Sequence, residues 1–341
     1  MISSVASKTP AWLTHLLGIA PMIDGDTNKV SGRRIKMVRG IIRSEELVSA
    51  AQEQTRDAFA YKWAKRDTFE GEVARALRDW LIEKYGNVSA APWWTEYGES
   101  PILLDAGCGA GMSGMALFGP ILDRIRYLGA DVSTAVDIAK QRFEEHGLAA
   151  GFLQADLLQL PIPEQSVDIV FSEGVLHHTD DTKAALMAVS RYLKTGGRML
   201  FYVYRKKGPI REFTDDLIRD KLQAMSPEEG WRAIMPLTML GKLLGELKIE
   251  VDVPEAIDVL GIPAGRINLQ RLVYWHIFKI YYRPEMTLNE MNHINFDWYA
   301  PKNAHRHTPE EVREWCGECG LQIEHEKVED AGITIIAKKI V

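Results

Sequence analysis

Pro101-Ile102-Leu103-Leu104-Asp105-Ala106-Gly107-Cys108-Gly109-Ala110-Gly111-Met112-Ser113-Gly114 is the stretch on which the fold turns. A short apolar run, Ile102 to Leu104, ends in an acid and a glycine cluster, the pattern of a buried parallel strand meeting a tight turn with a helix to follow. Gly109, Gly111 and Gly114 alone satisfy G-x-G-x-x-G, the register of a dinucleotide-binding turn. In that turn the first glycine follows the strand directly, and bare backbone with a helix N-terminus holds a pyrophosphate. Here Gly107 and Cys108 intervene, and Asp105 stands at the strand end where it would lie near that anion. A ligand with positive charge and no phosphate suits the carboxylate better.

The unit repeats downstream. Tyr127-Leu128-Gly129-Ala130 ends at Asp131, and Phe152-Leu153-Gln154-Ala155 ends at Asp156. The acids at 105, 131 and 156 are 26 and 25 residues apart, about one strand, one helix and two short loops. Thr134 and Asp137 make a capping-box-like start for a helix whose Val136, Ala139 and Phe143 share a face. Residues 167–172 and 198–204 read as the fourth and fifth strands, with a helix over 183–194 between them. Alternating units of this kind predict an α/β fold, a Rossmann-like, mostly parallel, doubly wound sheet. Residues 206–300 break the rhythm. They are read as a helical insertion without a clear strand, over the sheet's carboxyl edge, rich in large rings: Trp231, Tyr274, Trp275, Phe278, Tyr281 and Tyr282. Thr308-Pro309-Glu310-Glu311 starts a further helix, and 321–328 with 333–339 reads as a closing antiparallel hairpin.

Upstream, residues 1–98 read as a partly helical N-terminal extension, the core as 99–205, the insertion as 206–300 and the closing elements as 301–341. Residues 44–65 and 70–84 are helical in pattern, with Val73, Ala76, Leu77, Trp80 and Leu81 on one face. The first fifty residues are mixed, with turns at Asp24-Gly25-Asp26 and Ser31-Gly32, and Arg33, Arg34 and Lys36 read as a solvated loop.

The chain's 341 residues allow two domains, or one enlarged domain with an insertion. At 46% hydrophobic and 26% charged, the composition is that of a globular protein and excludes disorder, collagen-like repeats and a disulfide scaffold. The net charge, 41 minus 47, is −6, so a nucleic-acid partner is not expected. Three cysteines, an odd number, point to a reducing compartment. No run approaches the length of a membrane span, and 11–21 lacks the marks of a secretion signal; the expectation is a cytoplasmic protein without a membrane partner. Oligomeric state is not legible.

The segments LLDAGCGAG (103–111), YLGADVS (127–133), LQADLLQLP (153–161), DIVFSEGVLHHTDD (168–181) and LKTGGRMLFYVYR (193–205) resemble, in order and spacing, the successive motifs of the class I S-adenosylmethionine-dependent methyltransferases, in the ubiquinone-biosynthesis-like "type 11" branch that acts mainly on small molecules. The resemblance spans about 100–205 and, through the closing helix and hairpin, 305–340. It implies S-adenosylmethionine as cofactor and a small-molecule methyl acceptor as partner. It implies that Asp105, Gly107, Gly109 and Gly111 line the methionine side of the cofactor, with Cys108 inside the loop as a small packing residue. Asp131, with Val132 beside it, would accept from the ribose hydroxyls, and Asp156 from the adenine amino group, with the Leu157 N–H facing the ring. Ser172 and Glu173 would lie beside the transferable methyl. Phe59-Ala60-Tyr61-Lys62-Trp63 resembles the aromatic segment that relatives fold over the cofactor, which adds Tyr61 and Trp63.

Methyl transfer from a sulfonium needs alignment and exclusion of water, and a base only if the acceptor is protonated. His177 and His178, just beyond the fourth strand, are the candidates for that base; an architectural or cofactor-side role is the alternative. His305 and His307 form an H-x-H without identified partners, read as a loop pair. Cys316-Gly317-Glu318-Cys319 invites a redox or zinc reading, yet Val312, Trp315, Cys316 and Cys319 share an apolar helical face and no further cysteine pair exists, so core thiols and no metal are expected. Residues 274–282 read as insertion core at helical spacing with one or two rings at the pocket; Arg205, Arg271 and Arg283 are candidates to pair with an acceptor anion, or surface charge. Competing functions are an NAD-dependent oxidoreductase and a non-enzymatic S-adenosylmethionine-binding protein.

Overall fold

A computed structural model describes residues 9–30, 32–44 and 48–341. Twelve strands are present among them: β1 (Thr27–Val30), β2 (Arg33–Val38), β3 (Ile41–Ser44), β4 (Ile102–Ala106), β5 (Arg126–Asp131), β6 (Ala150–Gln154), β7 (Val167–Glu173), β8 (Leu193–Tyr204), β9 (Glu250–Val253), β10 (Gly265–Asn268), β11 (Leu321–Val328) and β12 (Gly332–Lys339). Ten form one sheet in the order β1-β2-β3-β6-β5-β4-β7-β8-β12-β11. From β3 to β8 neighbours run parallel, and both flanks are antiparallel. Strand order reverses at β4, between β5 and β7, so the crevice at its carboxyl end is where such sheets bind ligands.

The helices are α1 (Ala11–Leu16), α2 (Ala50–Trp63), α3 (Glu72–Tyr85), α4 (Met112–Phe118), α5 (Ala135–Glu145), α6 (Thr182–Arg191), α7 (Pro209–Leu222), α8 (Pro227–Glu246), α9 (Leu269–His276), α10 (Leu288–Tyr299) and α11 (Pro309–Glu318). They cover both faces of the sheet. One core layer joins α1, α6 and α11 through Leu13, Leu186, Val189, Val312 and Cys316; the other joins α3, α4, α5, α8 and α10 through Leu81, Phe118, Phe143, Trp231 and Phe296. Buried on both sides, β4 carries its apolar run without alternation.

Four local readings are corrected. Arg33, Arg34 and Lys36 are not in a loop but on β2, where Ile35 and Met37 are buried and Arg34 and Lys36 exposed, the period of two that a half-buried strand dictates; Ser31 of the preceding turn lies outside the described residues. The helix expected over 44–65 is shorter: Ser44 ends β3, 45–47 lie outside the described residues, and α2 starts at its N-cap Ser49, which accepts the Gln52 N–H at 2.9 Å. Thr134 does not cap α5; the Ser133 hydroxyl accepts the Ala135 N–H instead, and Asp137 turns to Arg43 of β3 at 2.7 Å. The insertion contains strands, since β9 and β10 pair as a hairpin, and its aromatic stretch is not one helix. After α9 the backbone is held by side chains: Gln270 donates to the Ile280 carbonyl (2.6 Å), the Tyr299 hydroxyl to that of Lys279 (3.0 Å), and the Asn295 side-chain oxygen accepts the Tyr281 N–H (2.9 Å). The closing helix keeps its expected start, a full capping box between Thr308 and Glu311.

Candidate active site

The glycine loop between β4 and α4 is pinned to β5 by the Gly107 and Cys108 N–H groups, which both donate to the Ala130 carbonyl (2.7 and 3.0 Å). Gly107 has φ +84°, and a Cβ there would lie 2.2 Å from Val175 Cγ1; at Gly109, φ +50°, it would lie 2.8 Å from the Trp63 indole nitrogen. Side chains are excluded at both positions by conformation and by space, so bare backbone faces the crevice. Gly107, Gly109, Asp131, Val132, Asp156, Leu157, Glu173, Trp63 and His178 all meet on the wall of one cavity of about 550 Å³, a size suited to small ligands.

Asp131, at the end of β5, receives the Gly109 N–H on one oxygen at 2.8 Å and the Ser133 N–H (2.8 Å) and hydroxyl (2.7 Å) on the other. The first oxygen keeps a lone pair for a further donor. Burial raises its pKa, against these three hydrogen bonds. Asp156 caps a short turn, accepting the Leu158 N–H at 3.1 Å. Glu173, at the end of β7, accepts the Tyr85 hydroxyl at 2.6 Å and pairs with the wholly buried Lys84, whose ammonium lies 3.6 and 3.5 Å from the ring centres of Trp80 and Tyr202.

Asp105, Cys108, Gly111 and Ser172 are not on the cavity wall. Asp105 is buried beneath the loop with the Tyr127 hydroxyl donating to it, and burial pushes its carboxyl up to about 7. Ser172 donates to the Ala106 carbonyl at 2.9 Å. Cys108 is buried, and Gly111 begins α4 in the left-handed conformation at φ +74°. Tyr61 is also off the wall; it packs on Trp231 and Phe296 and joins α2 to the insertion.

The two histidines separate. His177 is wholly buried, its ring 3.8 Å from that of Tyr204 and both ring nitrogens without a hydrogen-bond partner; burial drives its pKa well down. It does not reach the cavity. His178 does. Its Nδ1 lies 2.5 Å from the Asn303 carbonyl, which only accepts, so Nδ1 carries the proton and Nε2 the lone pair. That Nε2 is buried without a partner, and burial lowers the pKa to about 4. His305 and His307 hold the chain, on the Thr179 carbonyl (3.0 Å) and the Thr182 hydroxyl (2.9 Å). Cys316 and Cys319 are free thiols; Cys316 belongs to the core and burial pushes it up to about 12.

Several wall residues carry no motif. Val73, Ala76, Leu77 and Trp80, legible as one helical face, turn that face to the cavity. Lys62 pairs with Asp297 of α10, whose other oxygen accepts the Tyr204 hydroxyl at 3.1 Å. Burial would raise the Asp297 carboxyl, but Lys62, His178 and Lys279 outweigh it and hold it well below the usual range. From the aromatic stretch Tyr274, Trp275 and Tyr281 reach the wall, with Arg271 and Arg283; Tyr282 packs on Gly245, and Arg205 faces Asp330 at 3.4 Å. Lys62 and Asp297 come together only in the final fold, so no local signal marks them; of the aromatic stretch three rings reach the wall where one or two were expected, and of the three candidate arginines Arg271 and Arg283 do.

Residues 104–201 match the family model for a methyltransferase domain. Among curated relatives, the uncharacterized methyltransferase YodH of Bacillus subtilis is 37% identical over 108 residues, 32% of this chain and 45% of that protein. The malonyl-[acyl-carrier protein] O-methyltransferase of Serratia marcescens is 32% identical over 139 residues, 40% of this chain and 49% of that one. The tRNA U34 carboxymethyltransferase of Hydrogenovibrio crunogenus is 34% identical over 109 residues, 29% and 30% of the two chains. The chain spans about half the length, or less, of these relatives. A solved structure, the Burkholderia thailandensis 1,6-didemethyltoxoflavin-N1-methyltransferase, aligns at TM-score 0.43 and 14% identity over 93% of this chain and 100% of that one.

Sheet order, glycine loop, strand-end acids and family match define a class I methyltransferase domain, whose cofactor is S-adenosylmethionine. The 104–201 segment of this chain is similar to such a domain. The site fits that cofactor. Its wall offers acids and aromatic rings to a ligand with two positive charges, a backbone cradle where a Cβ cannot stand, and a carboxylate oxygen with a spare lone pair.

Proposed function

We propose that this protein transfers a methyl group from S-adenosylmethionine to a small-molecule acceptor held beneath the insertion. One observation carries the reading: a single cavity is lined both by the glycine loop, Asp131 and Asp156 and by Tyr274, Trp275 and Trp298 of the insertion. The cofactor supplies a methyl group already activated on a sulfonium, so the protein's task is alignment and exclusion of water. Gly107 and Gly109 let backbone approach the ligand, Asp131 accepts from a ribose hydroxyl, and Asp156 with the Leu157 N–H faces the adenine. Trp63 closes the cofactor end. His178 is the candidate to take a proton from an acceptor that must lose one, because it lies on the cavity wall and its Nδ1, given to the Asn303 carbonyl, leaves the lone pair on Nε2.

The net charge and the roofed cavity favour a metabolite over a polynucleotide as acceptor. A cytoplasmic setting is supported by three free thiols, and among the described residues no helix is long and apolar enough to cross a membrane. The test is incubation with methyl-labelled S-adenosylmethionine and, separately, a low-molecular-weight cell extract and bulk tRNA. Label is expected in the extract; label in tRNA alone refutes the acceptor class. NAD binding without S-adenosylmethionine binding refutes the chemistry, and cofactor binding without labelling of either pool leaves a binding protein.

A further inference from the structure

The insertion turns a cationic wall to the cavity: Lys207, Arg211, Arg271, Lys279 and Arg283 reach it. From 206–300 the acid on that wall is Asp297, and it is taken by Lys62. Asp215, just behind, is also committed: its oxygens accept from Arg211 Nε (2.6 Å), the Trp298 indole (2.8 Å), the Tyr299 hydroxyl (2.8 Å) and the Lys279 backbone N–H (3.2 Å). Around the Trp298 ring stand Lys279 Nζ at 4.9 Å, the Arg211 guanidinium at 5.4 Å and Lys207 Nζ at 5.8 Å.

Lys279 is the telling member of this group. Its residue is 8% exposed, and among the described residues no carboxylate lies within ion-pair distance of its ammonium and no side-chain hydrogen bond engages it. Lys207 donates to the Asp330 and Ala331 carbonyls and keeps one N–H uncommitted. Burial lowers both lysines to about 7. Lys279 faces Asp297 and Asp215 only beyond ion-pair distance, and both are bound to other donors, so keeping this buried ammonium charged is costly and a ligand anion beside it reduces that cost.

We propose, resting on the methyl-transfer reading above, that the acceptor carries an anionic group, a carboxylate or a phosphate monoester, on a planar apolar body, and that Lys279 with Lys207 binds this anion. Trp298 stands beside both lysines, and Tyr274 and Trp275 line the same cavity as apolar surface for the body of the ligand. The anion anchors the acceptor; the group that receives the methyl is elsewhere on it.

Titration calorimetry on the protein saturated with S-adenosylhomocysteine tests this with 2-naphthoate, 1-naphthyl phosphate and the neutral isostere 2-naphthamide. Saturation itself reports on the methyltransferase reading, so that reading fails separately if S-adenosylhomocysteine does not bind. At least one anion should bind about tenfold or more tightly than the amide, and the tighter of the two identifies carboxylate or phosphate. Lys279→Met should abolish the preference without weakening the amide, and Lys279→Arg should retain it, which separates lost charge from lost packing. Equal binding of anions and amide, no anion binding, or a preference that survives Lys279→Met overturns the proposal. So does Lys279→Met weakening S-adenosylhomocysteine instead, because the anion held would then be the cofactor's own carboxylate.

Discussion

At Asp131 one carboxylate serves both the loop and the ligand. Its carboxylate holds the loop through Gly109 and Ser133 and keeps one lone pair free. Asp131→Ala should weaken S-adenosylmethionine binding by ~1.5–3 kcal/mol, the range for hydrogen bonds to charged groups, with NAD bound by neither protein; undiminished affinity in calorimetry contradicts the assignment. His178 carries a pH signature. Its folded pKa of about 4 lies below the ordinary 6.5, so the unfolded chain takes up the proton first. The stability this neutral ring contributes is full above pH 6.5 and is lost as pH falls toward 4. Asp105, pushed up to about 7, acts with the opposite sign in the same window, while His307, also at about 4, acts with His178. The readout is therefore the difference between proteins. A His178→Gln variant should show a shallower stability slope across pH 4–6.5, by up to about 1.4 kcal/mol per pH unit. Identical slopes from denaturation at stepped pH mean that His178 titrates normally.

Among the elements, β2 shows how legibility depends on context. Its Ile35 and Met37 alternate with Arg34 and Lys36, a strand period present in the sequence, yet four residues flanked by turns and charges also fit a loop. What decides the matter is β3, which joins the parallel sheet beside β6, a pairing across more than a hundred residues that no local pattern encodes. Ile35→Ala should cost about 2–5 kcal/mol as a cavity in the core, and Lys36→Ala within about 0.5 kcal/mol; similar small losses in thermal unfolding for both contradict the strand. By contrast β4, β5 and β7 were readable, because parallel burial writes apolar runs that end at Asp105, Asp131 and Glu173, whereas β8 begins at Leu193, inside the stretch read as the end of the preceding helix. The aromatic stretch after α9 misled because its rings sit at helical spacing while side chains of Gln270, Asn295 and Tyr299 take the backbone groups a helix would need.

Over the whole molecule, the cofactor half of the site was legible and the acceptor half was not. The glycine loop, Asp131 and Asp156 lie at successive strand ends, where sequence order and spatial order coincide. Lys62, Lys279, Asp297 and Trp298 come together only when the insertion folds back over the sheet against α2, and each alone reads as surface charge or core. The account divides the cavity between these halves, and a crystal structure with S-adenosylhomocysteine tests the division most directly. It should show the ribose at Asp131, the adenine beside Asp156 and Leu157, the amino-acid end at Gly107 and Gly109, and the space between His178, Tyr274 and Lys279 left open. A nucleoside lodged among Tyr274, Trp275 and Lys279, with the glycine loop untouched, would contradict it.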